Sequence, residues 1–206
     1  LALTKTGKIH EAEAELNSLR SVVKTIPENA GLGNSSAHGV MKVADELLTG
    51  EIAFAKGEKN LGREALRRAV AAEDLVNYNE PPDWHLPTRE WLGAALMRSG
   101  QYAEAEAVFR KEIDNNPKNG RALFGLAESL AKQGKNTSAE LVRKEFEAAW
   151  KNADTTLSSS IFTGTVWAVK QSKLKIQTGI TMNDIETGDP TGPVVLRVHG
   201  CTDSSL

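Results

Sequence analysis

The chain has 206 residues, 40% hydrophobic and 25% charged, an ordinary balance for one or two soluble globular units, and its longest apolar runs are far too short to cross a bilayer. A net charge of −2 supplies no basic footprint, which argues against nucleic acid or an anionic membrane as the main target. The single cysteine, Cys201, excludes an internal disulfide framework.

Residues 1–6 read as the end of a helix that lacks its beginning, so a longer protein is expected, with any targeting signal outside this chain. Gly7, Ile9, Glu11-Ala12-Glu13-Ala14 and Leu16 then fall at the same offsets as Gly100, Tyr102, Glu104-Ala105-Glu106-Ala107 and Phe109 further on. The first stretch is therefore the second helix of a helix-turn-helix unit, running towards Thr25 and stopped by Pro27. Residues 28–39 are rich in Gly, Asn and Ser and read as a loop or linker. From Val40 a further helix pair is expected, with Val43, Ala44, Leu47, Leu48, Ile52 and Phe54 on one apolar face and Gly57 at its turn. Gly62, Leu66 and Ala69 take the small, large and small positions of its second helix, which ends near Leu75. An insertion follows, and the three prolines of Glu80-Pro81-Pro82-Asp83-Trp84-His85-Leu86-Pro87 hold it in an extended or turn path.

The most regular part runs from Arg89 to Trp150. Leu92 repeats as Leu126, Leu96 as Leu130, Gly100 as Gly134 and Ala105 as Ala139, each at a spacing of 34 residues. Leu92, Gly93 and Leu96 share a face of a helix over about Thr88–Ser99, so that face is buried, and Ala105 lets the returning helix approach closely. Phe109 fills the space one turn on, and Asn116-Pro117 stops the helix. The next pair starts near Gly120, with Leu123, Phe124, Leu126, Ala127 and Leu130 in its first helix and Ala139, Val142, Phe146 and Ala149 in its second, over about Thr137–Trp150.

A period of 34 with Gly at the turn and Ala in the following helix resembles the tetratricopeptide repeat. That resemblance implies an all-α fold, an antiparallel helix-hairpin solenoid over residues 1–154, with hairpins at about 1–26, 40–75, 88–117 and 120–152. Glu80-Pro81-Pro82, Trp84, Pro87, Arg89 and Leu92-Gly93-Ala94-Ala95-Leu96 also look like a variant in a set of uncharacterised, mostly bacterial tetratricopeptide proteins, over roughly residues 40–154. The resemblance implies a protein or peptide partner held on the concave side, which the first helix of each hairpin lines. The positions so mapped are Glu51, then Glu90, Met97 and Arg98, then Arg121, Phe124, Glu128 and Lys132. Arg121, Lys132 and Phe124 suit a peptide with an acidic group and an apolar side chain, or are ordinary solvated positions. Trp84 and His85 either line a groove at a repeat junction or pack across helix ends. Family members that grip chaperone C-termini use a clamp of lysine, asparagine and arginine. Here Glu51 and Trp91 stand at its asparagine positions and Leu47 at its first lysine, which argues against a chaperone tail.

After Asp154 the composition changes. Residues 155–164 are rich in Ser and Thr, and β-like runs follow at Val166–Val169, Leu174–Ile180 and Val194–Val198, with Gly188–Pro193 as a turn or loop. This extension, residues 155–206, reads as a β-hairpin or small three-stranded sheet that packs on the helices or pairs with another chain, or else as disordered. No phosphate loop, H-E-x-x-H or paired C-x-x-C occurs, and His199 with Cys201 lacks the further ligands that structural zinc needs, so no cofactor or metal is expected. Asn34-Ser35-Ser36 and Asn136-Thr137-Ser138 match the glycosylation sequon. The many glutamates along the second helices read as solvated faces, with neighbours four residues on such as Glu140 and Lys144.

The reading that follows is a non-catalytic protein-interaction module or scaffold, with the cytoplasm favoured. The alternatives are a non-catalytic accessory domain of an enzyme whose catalytic part precedes residue 1, and a purely structural solenoid that caps or oligomerises through its tail.

Overall fold

The computed structural model describes residues 1–161, 170–175 and 181–186. One turn, built four times, organises the helices. Gly7, Gly57, Gly100 and Gly134 have φ of 76, 83, 73 and 74°, a left-handed conformation that a β-carbon resists. Around Gly100, the Gly100 amide donates to Met97 O at 3.1 Å and the Gln101 amide to Leu96 O at 3.0 Å. This six-to-one and five-to-two pairing satisfies two carbonyls that a helix end leaves open. The same pair of bonds recurs at Gly7, Gly57 and Gly134.

These turns join four hairpins: α1 (Ala2–Lys5) with α2 (Ile9–Val23), α3 (Ala37–Ala55) with α4 (Lys59–Glu73), α5 (Thr88–Arg98) with α6 (Tyr102–Asn115), and α7 (Gly120–Lys132) with α8 (Asn136–Trp150). Each hairpin packs on the next, through α2 on α3, α4 on α5 and α6 on α7, and the first helices also meet directly, α1 with α3 and α5 with α7. The first unit is thus an all-α stack of antiparallel helix hairpins. Helix α3 begins three residues before the expected Val40, because the Ser36 hydroxyl accepts from the Gly39 amide at 2.9 Å and caps it.

Small residues set how closely the helices approach. Ala65, Ala69, Ala95, Ala105 and Ala122 are fully buried at the helix contacts. Phe109 is 0% exposed, and β-carbons built on Gly93 and Gly125 would each stand 2.3 Å from its Cζ. The ring therefore lies in a slot that only glycine leaves open on either side. Leu47, Leu66, Leu96 and Leu130 extend this core along the stack. Ala12, Leu16 and Ile52 form a second, smaller cluster where α2 meets α3.

Four glutamates are buried, and one of them, Glu112, lies on a second helix, where a solvated role was expected. Glu46, Glu51, Glu90 and Glu112 are buried, each beside a partner that offsets desolvation. Lys42 and Arg68 flank Glu46 at 2.8 and 2.9 Å, and Lys5 reaches Glu51 at 2.7 Å.

Two loops that the sequence places 44 residues apart lock together. Residues 31–36 form a small antiparallel pair, β1 (Gly31–Leu32) with β2 (Ser35–Ser36). Asn34 Nδ2 donates to Tyr78 O at 3.2 Å, across |i−j| of 44, and Asn77 Nδ2 donates back to Asn34 O at 2.6 Å. The Asn34 amide also donates to Asp83 Oδ2 at 3.2 Å. What reads as two separate loops is one polar clasp between the linkers on either side of the second hairpin.

The chain divides into two units after residue 164. The first therefore continues past Asp154, where the composition changes, because Ser160 and Ile161 are each only 3% exposed. In the second unit β3 (Lys170–Lys175) pairs antiparallel with β4 (Thr181–Glu186), with Lys170 opposite Glu186 and Lys175 opposite Thr181. The expected strand at 174–180 thus overlaps only the end of β3, and β4, with polar residues at 181, 183, 184 and 186, gave too little apolar alternation to be read. The runs at 166–169 and 194–198, the turn at 188–193, and His199 and Cys201 lie outside the described residues.

Candidate interaction groove

Because α5 and α7 meet directly, side chains from both face a common cavity of about 350 Å³. Its floor is apolar: Ala94 of α5, Phe124 and Gly125 of α7, and the buried Phe109 ring beneath. Met97 and Arg98 line it from α5 and Glu128 from α7, so opposite charges stand on its two sides. Glu128 is held by Arg143 of α8 at 3.1 Å, and the Arg98 guanidinium lies 5.3 Å from the Phe54 ring centre. Each charged group is thus oriented by a neighbour and keeps access to solvent.

Arg98 also borders a second cavity of about 370 Å³ between α1, α3 and α5, with Lys5, Glu51 and Phe54 on its walls. The Lys5 ammonium there pairs with Glu51 and sits 5.5 Å from the centre of the Trp91 ring. Glu51 is 3% exposed, and its Oε1 is buried without a hydrogen-bond partner among the described residues. Glu51 is therefore an internal partner of Lys5 at the wall of this second cavity, away from the α5–α7 groove.

Of the positions mapped from the repeat pattern, Met97, Arg98, Phe124 and Glu128 come together in one cavity. Lys132 is exposed at the end of α7, away from it. Arg121 is half-buried, its guanidinium 6.0 Å from the Trp150 ring, and Phe124 also joins an aromatic row with Phe146 and Trp150, at centre separations of 5.6 and 6.0 Å. Arg121 therefore packs on the α7–α8 hairpin as much as it faces outwards.

Glu90 requires a correction, since at 7% exposure it is not available to a partner. Its Oε1 accepts from Asn119 Nδ2 at 2.8 Å, and the same amide donates to Glu112 Oε1 at 3.1 Å. Asn119 Oδ1 meanwhile caps α7, accepting from the Arg121 and Ala122 amides at 3.0 and 3.3 Å. One asparagine thus ties α5, α6 and α7. Burial pushes the Glu90 carboxyl up to about 7, against the opposing Asn119 bond and the Arg121 charge, and burial also raises Glu112.

Trp84 and His85 border a separate open cleft of about 1030 Å³ along the insertion. Trp84 is half-buried against the core, with its Nε1 donating to Leu86 O at 2.7 Å, and His85 is exposed beside it. Among the described residues no helix is long and apolar enough to cross a membrane.

The stretch after α8 was legible in the sequence only as a change of composition. Trp150 Nε1 donates to Thr155 O at 2.7 Å, which fixes the reversal at the helix end. Ser158–Ser160 then border the α5–α7 cavity, and Ser160 Oγ donates to Glu90 O at 2.9 Å. Ile161 joins the main core cluster. A faint signal exists in Leu157 and Ile161, two apolar residues four apart in a run of serines.

Comparison with known proteins gives three results. No curated protein matches the chain. Among solved structures it is similar to one described as "Crystal structure of MamA protein", at 16% identity and a TM-score of 0.44, over 76% of this chain and 99% of that one. The tetratricopeptide repeat family model matches residues 92–153, so the segment from within α5 to just past α8 is similar to that repeat.

Proposed function

We propose that the chain is a non-catalytic protein-interaction module that holds an extended peptide of a partner protein against the first helices of its hairpins. The observation that carries this reading is the α5–α7 cavity, with an apolar floor at Ala94, Phe124 and Gly125 and opposite charges at Arg98 and Glu128. An apolar depression with a few oriented polar groups suits a side chain whose backbone runs along the groove. The rigid stack behind it, fixed by the Phe109 slot and the Asn119 tie, keeps the groove formed before a partner arrives, so little ordering entropy opposes binding. The carboxylates of half-buried Glu73 and buried Glu90 and Glu112 support a binding role over a catalytic one, because they are consumed in joints between helices.

The test is to select peptides from a random displayed library on the intact chain and map a selected peptide by amide chemical shifts. Shifts are expected to centre on α5 and α7 around Met97, Arg98, Phe124 and Glu128. The charge exchange Arg98→Glu with Glu128→Lys should weaken binding by about ten-fold or more while the melting curve stays near wild type. Shifts centred on α6 and α8, or on the insertion at 76–87, would overturn the groove reading.

A further inference from the structure

The second cavity, about 370 Å³ between α1, α3 and α5, has a surplus of positive charge. Lys5, Lys59 and Arg98 line it, and among the described residues Glu51 is the one carboxylate on its walls. Lys5 already holds that carboxylate, at 2.7 Å. Behind the wall, the Arg63 guanidinium of α4 donates to Ser99 Oγ at 3.1 Å and to Asn60 Oδ1, both neutral acceptors. The acidic side chains of the adjoining turn and helices are engaged elsewhere, Glu58 with Lys56 at 3.5 Å and Glu64 and Glu104 with Arg67, each at 2.7 Å. Lys59, Arg63 and Arg98 thus have no carboxylate partner among the described residues. Like charges gathered at a concave, partly apolar wall focus a potential that favours an anion.

The same cavity has an apolar side, formed by Phe54 and Ala55. The Arg98 guanidinium lies over the Phe54 ring, 5.3 Å from its centre, which fixes its plane and leaves its N–H groups free to donate. Arg98 and Lys59 are both exposed, so a ligand reaches them from solvent. Arg98 also borders the α5–α7 cavity, and the two depressions therefore meet at this residue.

We propose that the α1–α3–α5 cavity receives an acidic side chain, Asp or Glu, of the same peptide whose apolar side chain lies on the α5–α7 floor, with Arg98 between the two. Lys59 and Arg98 take the carboxylate, Arg63 adds charge from behind the wall, and Phe54 covers the aliphatic stem of the acid. This rests on the interaction-module reading and adds the chemistry of the partner. The cations mapped from the repeat pattern do not form this site, since Arg121 packs on Trp150 and Lys132 lies at the end of α7.

The test takes the peptide most enriched from the displayed random library on the intact chain, labelled with fluorescein, and an analogue in which each Asp or Glu is replaced by Asn or Gln. Fluorescence polarisation at low salt should show the analogue binding wild type about five-fold or more weaker than the acidic peptide. Lys59→Glu and Arg98→Gln should each weaken the acidic peptide, the charge reversal by about five-fold or more, with melting curves close to wild type. Lys59→Glu should leave the affinity for the analogue within about two-fold of wild type, because the lost pair is then already absent. A selected set without enrichment of acidic residues, equal binding of peptide and analogue, or acid-dependent binding that Lys59→Glu leaves unchanged would each overturn the proposal. So would competition by inorganic phosphate as strong as that by the unlabelled peptide, which would mark a small-anion site instead. Any of these results leaves the groove reading standing if selected peptides still map to α5 and α7, whereas a library that yields no binder ends both.

Discussion

A β-carbon on Gly125 would stand 2.3 Å from Cζ of Phe109, a ring that has no exposed surface and no room to retreat. Gly125→Ala must therefore move either the ring or the α7 backbone. Overpacking of this kind costs about 1–3 kcal/mol. Urea denaturation should show a lower midpoint with an unchanged slope. Phe109→Leu destabilises on its own, yet the pair should lose less than the sum of the two single changes, since the smaller side chain relieves the clash. A midpoint for Gly125→Ala equal to wild type would show that the slot is looser than its geometry indicates.

Helix α5 begins at Thr88 behind Pro87, whose side chain offers no cap. The cap comes from α4, where Glu73 Oε2 accepts from the Thr88 amide at 2.8 Å and from the Thr88 hydroxyl. The carboxylate also sits at the positive end of the α5 dipole. Glu73→Ala should cost about 1 kcal/mol, and Glu73→Gln less, because an amide oxygen still accepts. Thermal melts of both variants check this, and equal losses would show that packing, not the cap, is at stake.

The contrast between these two features explains what the sequence discloses. Gly100, Gly134, Ala105 and Ala139 were legible because each acts within its own hairpin and recurs at 34 residues, so the pattern carries its own geometry. Met97, Arg98, Phe124 and Glu128 were mapped differently, from the resemblance that puts the first helices on the concave side, and they meet across two hairpins. Glu90 was misread because its register matches theirs, while its environment is set by Asn119, which lies 29 residues on. Glu73 capping Thr88 across 15 residues and Ser160 bonding Glu90 across 70 leave no local trace at all. In the serine run only Leu157 and Ile161, four apart, hint that the segment packs on the helices.

Clasping of the two loops between hairpins gives a local prediction. Gly33 has φ of 58°, and a β-carbon there would stand 1.8 Å from Asp83 Oδ1. Gly33→Ala should therefore break the Asn34–Asp83 bond and release the clasp without unfolding the helices, because the clasp residues lie outside both hydrophobic clusters. Hydrogen exchange should quicken at the Asn34 and Asn77 amides, which bond Asp83 and Ser35. Unchanged exchange there would mean that the loops are held by something else.

Two glutamates give the stability opposite slopes with pH. Burial raises the Glu90 carboxyl from 4.5 to about 7, so between those values the folded chain binds a proton that the unfolded chain has released. Stability linked to Glu90 is fully present below about 4.5 and is lost as pH rises through about 7. Glu106 runs the other way. Its bond from Lys135, with further bonds from Gln133 and Arg110, lowers it from 4.5 to about 2, and its contribution is present above 4.5 and lost as pH falls towards 2. Glu90→Gln keeps an acceptor for Asn119 Nδ2 and removes the titration. Denaturation midpoints at pH 5, 6, 7 and 8 should fall for wild type across this range and fall less steeply for Glu90→Gln, with the variant gaining most at pH 8. Parallel curves for the two chains would show that Glu90 is ionised in the fold and that its burial is relieved by solvent.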